Sequence, residues 1–373
     1  MRYFLLLVLS FTLYRSYSQF ETGINYKQLD SILYGANPDQ DTPGMGVIII
    51  KNDSIVYFSS VGYANVKKQL SIGLHTQYNI GSVTKMFTGI GILLLEEEGK
   101  LNRNDDIHKY IPEFPDYGQP ITLNQLLSHT SGIRDQYELA SFLYNYNKQL
   151  FTFDGMVKYQ QEYPELNAPV GESFAYSNAG YMLLAMVIEK VSGLTYAEYL
   201  NQNIFIPLGM QNTYVSEGKA RYLHDGTANY PLNKNGKPRK AFAYADAIGA
   251  TGVNSTLYDM YLWDKNFYNN QLGAKKQALI DTLQKTFSLN NGNSVYYGCG
   301  IIKKPYRGKA VYEHSGGWGE YLTQYRRFPE EHISIIAWNN AANYSPFVAV
   351  DKVSNAIMNY SETKTKTDVL PGF

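Results

Sequence analysis

The stretch Tyr78–Lys100, YNIGSVTKMFTGIGILLLEEEGK, carries Ser82 and, three residues later, Lys85. From Ser82 onward Val83, Met86, Phe87, Ile90, Leu93 and Leu94 recur at helical spacing, Ile92 and Leu95 widen the apolar face, and Gly99 supplies a stop. The spacing predicts a buried helix opened by Ser82. A hydroxyl placed there meets free backbone N–H groups and the positive end of the helix dipole, both of which stabilise a developing alkoxide or oxyanion. Lys85 lies one turn later on the same side of the helix, within reach of the hydroxyl. An ammonium forced into an apolar helix loses its proton more easily, because burial penalises the charged form, and the free amine is a base.

The S-x-x-K spacing by itself is a cheap pattern, and it recurs at Ser216/Lys219 and Ser361/Lys364. Ser216-Glu217-Gly218-Lys219 reads as a polar turn and Ser361 to Lys364 as part of a polar tail, so neither has the apolar helical setting of Ser82 and Lys85. On these residues alone two readings stay open. One is a nucleophile beside its base; the other is a helix N-cap beside a lysine whose charged end reaches water.

The chain has 373 residues, enough for one large core or two moderate ones, and its 44% hydrophobic content is that of a folded protein. Lys+Arg and Asp+Glu are both 33, so no electrostatic argument favours nucleic acid or an anionic membrane as partner. The opening MRYFLLLVLSFTLYRSYSQF has Arg2, an apolar run from Tyr3 to about Tyr14, and small residues at Ser16 and Ser18, the layout of a secretory signal cleaved after Ser18. That run is shorter than the roughly 20 residues that span a bilayer. No later segment is apolar enough to span, so the expectation is an exported protein, periplasmic or secreted, without a membrane span once residues 1–18 are removed. Cys299 is the single cysteine, which excludes an intramolecular disulfide; in the apolar run YYGCGII it reads as buried filler.

After the signal, MGVIIIKNDSIVYFSSVGYANV reads as two strands about a Lys51-Asn52-Asp53 turn. From about Pro120 to about Leu289 the pattern is mostly helical: AGYMLLAMVIEKVSG ending near Gly193, TYAEYLNQNIF, and NSTLYDMYLWDKNFYN with asparagine and serine near its start. YYGCGIIKK, KAVYEHSG, YLTQYRRFP and ISIIAWNN then follow at the short spacing of an antiparallel meander, and a helix over about Phe347 to Tyr360 precedes a polar tail. The predicted class is α+β, an antiparallel sheet flanked by helices and built from both chain ends, with a mostly helical domain inserted. Residues 19–119 and 290–373 are expected to form the sheet domain and 120–289 the helical domain, with any active site between them.

Two further stretches bear on the open choice at Ser82. PVGESFAYSNAGYML presents Tyr176-Ser177-Asn178 just before a helix, and VYEHSGGWGEYL presents His314-Ser315-Gly316-Gly317 at the end of a strand. S-x-x-K, Y-x-N and an H-x-G triplet, in that order, resemble the active-site elements of the penicillin-recognising serine hydrolases. The order and spacing are similar to the branch of class C β-lactamases and D,D-peptidases, with related esterases and D-aminopeptidases. GKLNRNDDIHKYIPEFP, LLSHTSGI at Leu126–Ile133, IFIPLGMQNT and GATGVNSTLYDM at Gly249–Met260 also resemble that family, so the likeness covers nearly all of the chain after the signal.

The resemblance implies a β-lactamase/transpeptidase-like fold and acyl transfer to water through an acyl-Ser82 intermediate, on an amide or ester substrate. Lys85 and Tyr176 share the proton traffic, either as base. Asn178 hydrogen-bonds the substrate or orients Lys85, while His314, Ser315 and Gly316 line the substrate site. The backbone N–H groups of Ser82 and Gly317 form the oxyanion hole, and no metal or organic cofactor is needed. Glycine at 316 and 317 fits a strand that admits substrate close to its backbone. The partner is a small molecule or peptide, with D-amino-acid peptides and cell-wall fragments as candidates. His314 departs from the lysine usual in penicillin-hydrolysing members: histidine is mostly neutral near pH 7 and gives no permanent cation for a substrate carboxylate. That favours the peptidase and esterase members over a dedicated class C-like β-lactamase. A non-catalytic cell-wall-binding protein with the same fold is the rival of another class.

Other residues tempt. LLSHTSG offers His129 and Ser131, with Asp135 nearby, but residues two apart in a loop seldom face each other and G-x-S-x-G is absent, so the expectation is a fold hallmark without a catalytic part. His75, His108, His129, His224, His314 and His332 lack metal-ligand spacing, and the glycine-rich HSGGWGE leads into a strand rather than into a phosphate-binding helix.

Overall fold

The run MGVIIIK is apolar at both parities, and a strand that is apolar on both faces of its pleat needs cover on both sides. Met45–Lys51 forms strand β1 with six consecutive buried residues. It turns through Asn52 and Asp53, at φ 48° and 59°, into β2 (Ser54–Val61); two positive φ values in a two-residue loop match the twist of the paired strands. Tyr63–Asn65 (β3) and Leu70–Ser71 (β4) make a small ribbon, and Gln77–Asn79 (β5) leads to Ser82. The later strands are β6 (Tyr214–Val215), β7 (Val253–Thr256), β8 (Ile302–Tyr306), β9 (Lys309–Trp318), β10 (Tyr321–Phe328) and β11 (Ile333–Asn339).

In this computed structural model, which describes residues 24–36, 41–138, 152–216, 223, 225–230, 247–341 and 345–359, the main sheet is antiparallel in the order β2-β1-β11-β10-β9-β8. The N-terminal hairpin docks on the C-terminal meander through β1 and β11, from Met45 opposite Asn339 to Lys51 opposite Ile333. The sheet is thus built from both ends of the chain, as its sequence pattern predicts. Helices α1 (Tyr26–Ala36) and Pro346–Ile357 cover one face, where Leu29, Leu33, Val350 and Val353 meet Val47, Ile49 and Ile335. On the other face Ile48, Ile50, Ile336 and Trp338 join the core that surrounds α2 (Thr84–Glu97). Among the described residues no helix is long and apolar enough to cross a membrane. The predicted signal at 1–18 and the Ser361/Lys364 pair lie outside the described residues, as does Lys219.

The middle of the chain is helical at Leu123–Leu127, Phe153–Glu162 and Asn178–Ser192, the last ended by Gly193 at φ 73°. TYAEYLNQNIF is Tyr196–Leu200 running into a π-helical turn at Asn201–Phe205. Helix Leu257–Asn266 starts later than its polar NST suggests. Asn254 and Ser255 belong to β7, and Thr256 is the N-cap, accepting from the Asp259 N–H at 3.0 Å. This helix packs against β1 and β11, and its buried Asp264 binds Arg327 at 2.9 Å and accepts from the Tyr325 hydroxyl at 2.7 Å. It lies with the sheet, although the sequence pattern groups it with the inserted segment.

The strand expected over YYGCGIIKK forms only from Ile302. The reason is α2: a Cβ on Gly300, at φ 89°, would stand 2.3 Å from the Lys85 carbonyl oxygen, and one on Gly89 would stand 2.2 Å from the Cys299 carbonyl oxygen. Residues 299 and 300 turn to lie against the helix backbone, while Gly298 packs on the backbone of residues 283–285. Cys299 is fully buried there, and burial pushes its thiol up to about 12, so it is inert packing.

Gly89 makes a sign-inverting test. An alanine in a helix interior ordinarily stabilises by about 1 kcal/mol over glycine. Here Gly89→Ala is expected to destabilise by about 2 kcal/mol or more, because its Cβ meets a backbone carbonyl. Gly91→Ala, whose nearest neighbour is the movable Ile188 side chain at 3.0 Å, should cost less. Urea unfolding of the two variants checks the order.

Candidate active site

Ser82 sits where three backbones meet. The Ile80 N–H donates to the Val253 carbonyl at 3.0 Å, and the Gly81 N–H to Asn79 Oδ1 at 2.9 Å. Gly81 takes φ 53° and begins a 3-10 turn, Gly81–Val83, that runs into α2, so Ser82 lies just ahead of the helix rather than in it. Strand β9 is pressed on this turn. A Cβ on Gly81 would stand 2.3 Å from the Gly317 nitrogen, and one on Gly316 would stand 2.0 Å from the Ile80 oxygen and 3.2 Å from the Ser82 nitrogen. The N–H groups of Ser82 and Gly317 therefore share one seam. Gly316 is glycine because the chain's own Ile80 carbonyl fills the space, whereas a Cβ on Gly317 would find Leu322 at a comfortable 3.6 Å. The expectation that substrate needs the space at Gly316 is replaced by this packing need.

Lys85 is wholly buried on the first turn of α2. Its Nζ lies 3.0 Å from Ser82 Oγ, 2.8 Å from Asn178 Oδ1 and 2.9 Å from the Ala250 carbonyl oxygen. The rings of Tyr176 and Tyr181 stand 4.8 Å and 5.6 Å away. Burial lowers the amine to about 7, with the charge of Asp135 working the other way. Tyr176 is half-buried, and its phenol hydrogen-bonds Ser82. Burial raises that phenol above its ordinary value, with the Ser82 bond opposing, so it keeps its proton at neutral pH. The group with a free lone pair on Ser82 near pH 7 is Lys85.

Along β9 exposure alternates: Ser315 and Gly317 are exposed, His314 and Gly316 buried. His314 is 2% exposed, and both ring nitrogens are engaged. Nδ1 lies 2.6 Å from the Ser315 carbonyl, which only accepts, so Nδ1 carries the proton and Nε2 accepts from the Tyr297 hydroxyl at 2.8 Å. Burial first, and then the Lys85 charge, lowers this imidazole to about 3. His314 is therefore neutral, as its residue type suggests, but it offers no free nitrogen to a substrate, and its sequence-based place in the substrate site is corrected to that of a buried support. Ser315 is the member of the triplet whose side chain is open.

The 129–135 loop is closer to the centre than its sequence suggests. The His129 carbonyl accepts from the Ala175 N–H at 2.8 Å, and His129 Nδ1 from the Ser177 N–H at 3.1 Å. Its ring lies 4.2 Å from that of Tyr176 and 4.7 Å from that of Tyr297, and burial keeps it neutral, far below its ordinary pKa. Asp135, 4% exposed, accepts from both the backbone N–H and the side-chain N–H of Asn178. Forty-three residues separate Asp135 from Asn178, and no local spacing joins them. Ser131 is buried. Among the described residues no group of three or more His, Cys, Asp or Glu gathers as metal ligands would.

The arrangement can attack a carbonyl. A hydroxyl has a buried amine on one side, a phenol at hand, and two main-chain N–H groups on one seam. The beta-lactamase family model matches residues 26–356, and the chain belongs to that family. Penicillin-binding protein 4* of Bacillus subtilis is 31% identical over 314 residues, 79% of this chain and 67% of that protein. The octameric penicillin-binding protein homologue from Pyrococcus abyssi superposes with a TM-score of 0.80 at 27% identity, over 91% of this chain and 78% of that one. The D-amino acid amidase from Ochrobactrum anthropi SV3, in complex with L-phenylalanine amide, superposes with a TM-score of 0.75 over 90% of this chain and 98% of its own; at 21% identity this is a likeness of fold.

The amine at about 7 sets a pH dependence. Lys85 accepts the Ser82 proton only when neutral, so the rate of Ser82 modification by a fluorophosphonate should rise with pH, with a midpoint near 7, and level off above it. Ser82→Ala should remove the adduct from the intact mass at every pH.

Proposed function

We propose that this beta-lactamase-family chain is an exported serine hydrolase that cleaves amides or esters, with D-amino-acid amides and D-peptides of cell-wall origin as the favoured substrates. The observation that carries the reading is the buried Lys85 amine, held 3.0 Å from Ser82 Oγ by two carbonyl oxygens. Ser82 Oγ bonds to the substrate carbonyl carbon while its proton passes to Lys85, and the resulting oxyanion is met by the Ser82 and Gly317 N–H groups. Collapse breaks the bond to the amine or alcohol, which leaves with the proton from Lys85. Water then adds to the acyl-enzyme, giving its proton to Lys85, and the carboxylic acid leaves as Ser82 recovers its hydrogen. Tyr176, which keeps its proton at neutral pH, is a donor to Ser82 or to the leaving group.

Two observations support an amide or ester whose recognition does not depend on a side-chain cation at position 314 of β9. The triplet has a neutral, buried His314 where a lysine would supply a cation. The fold is also shared with a D-amino acid amidase. The resemblance of the sequence motifs to the D,D-peptidase branch supports cell-wall peptides as the natural source of D-configured groups.

A panel of D-amino-acid amides, D-Ala-D-Ala peptides, short-chain p-nitrophenyl esters and a chromogenic cephalosporin tests the reading. Amides or esters of D-configuration should be turned over, the cephalosporin slowly, and Ser82→Ala should lower kcat by about a thousandfold or more. Rapid cephalosporin turnover at low enzyme concentration would assign a β-lactamase instead. A protein that takes no adduct on Ser82 yet binds cell-wall fragments would be a non-catalytic binder.

A further inference from the structure

We infer that Asp135 is a positioning residue for the base: by locking the Asn178 amide in its acceptor orientation, it directs the lone pair of the Lys85 amine at Ser82. The inference rests on the acyl-transfer reading above. Asp135 Oδ2 accepts the Asn178 Nδ2–H at 3.0 Å and the Asn178 backbone N–H, and its Oδ1 accepts the Tyr137 N–H at 2.8 Å. A carboxylate only accepts. If the Asn178 amide flipped, its oxygen would face Asp135 and its N–H groups would face Lys85, so the observed orientation, with Oδ1 2.8 Å from Lys85 Nζ, is the one that Asp135 permits.

A neutral amine has two N–H groups and one lone pair. Asn178 Oδ1 and the Ala250 carbonyl oxygen can only accept, and each takes one N–H. The remaining tetrahedral position, toward Ser82 Oγ at 3.0 Å, is left to the lone pair. With the Asn178 amide free to turn, the amine could donate to Ser82 instead, and a donor cannot take its proton.

Asp135 also acts through charge. The other ionisable groups facing Lys85 are Tyr176 and Tyr181, whose phenols are raised, and His129 and His314, whose imidazoles are lowered, so all four are uncharged near pH 7. Among the described residues Asp135 is the charge that opposes the effect of burial on Lys85. Loss of that charge favours the neutral amine at lower pH.

Two variants separate orientation from charge, with fluorophosphonate labelling of Ser82 followed by intact mass from about pH 5 to about pH 9. Asp135→Asn keeps an oxygen for the Asn178 N–H groups and loses the charge; its labelling midpoint should fall by about 0.5–1 pH unit with a plateau rate near that of the wild type. Asp135→Ala loses the acceptor, and its plateau rate should fall about tenfold or more. If Asp135→Ala does not fold, the plateau rate of Asp135→Leu, which fills the same space without an acceptor, decides. A merely structural role lowers thermal stability without lowering that plateau. A plateau rate within about twofold of the wild type in the acceptor-free variant would overturn the positioning role while leaving the hydrolase reading intact. A wild-type protein that takes no label overturns both.

Discussion

The molecule is organised around one buried amine. Lys85 has no exposed surface, and an ammonium taken out of water costs several kcal/mol unless polar groups replace its hydration. One neighbouring and two distant parts of the chain supply them: the turn before α2 through Ser82, the start of the Asn178–Ser192 helix through Asn178, and the segment before β7 through Ala250. Each must be in place for the amine to be satisfied, so the same contacts that make Lys85 tolerable also assemble the site. The residual strain between burial and charge is what brings the amine to about 7, in the range where it exchanges protons readily.

A second constraint is the backbone seam between the Ser82 turn and β9. Gly81 and Gly316 let two main chains touch where any side chain would hold them apart. Close contact brings the N–H groups of residues 82 and 317 to one place, and such donors need no reorganisation as charge develops on a substrate oxygen. The alternation of β9 then divides its labour. His314 and Gly316 face inward as support, while Ser315 and Gly317 face outward. In the support layer His314 is bound by Tyr297, whose ring also packs on His129, and burial keeps both imidazoles uncharged beside Lys85.

The 129–137 loop acts as a template for the Tyr176-Ser177-Asn178 segment. Its backbone and side chains pair with residues 175, 177 and 178 in succession, and the His129 ring lies tilted against that of Tyr176 between. A rigid second layer of this kind fixes groups that must be placed within fractions of an ångström. His129 is held at φ 57°, an unusual backbone state for a residue other than glycine, and the pairing on both its carbonyl and its ring accounts for it.

Local pattern was enough for the frame. The doubly apolar MGVIIIK, the meander of short late strands and the helical spacing after Ser82 each follow from a period within a single element, and periods survive in any sequence that forms them. Ser82, Lys85, Tyr176 and Asn178 were legible as residue types in order. What the sequence could not show is contact between elements: that Cys299 and Gly300 bend onto the backbone of α2, that helix Leu257–Asn266 sides with the sheet, and that His314 has both nitrogens occupied. Asp135 was visible only as a loop acid, because its link to Asn178 has no period and spans 43 residues. The chain by itself determined its elements and the chemistry available to it; the tertiary structure alone decided which groups are buried together, and burial is what loosens the hold of a lysine on its proton and keeps a histidine neutral.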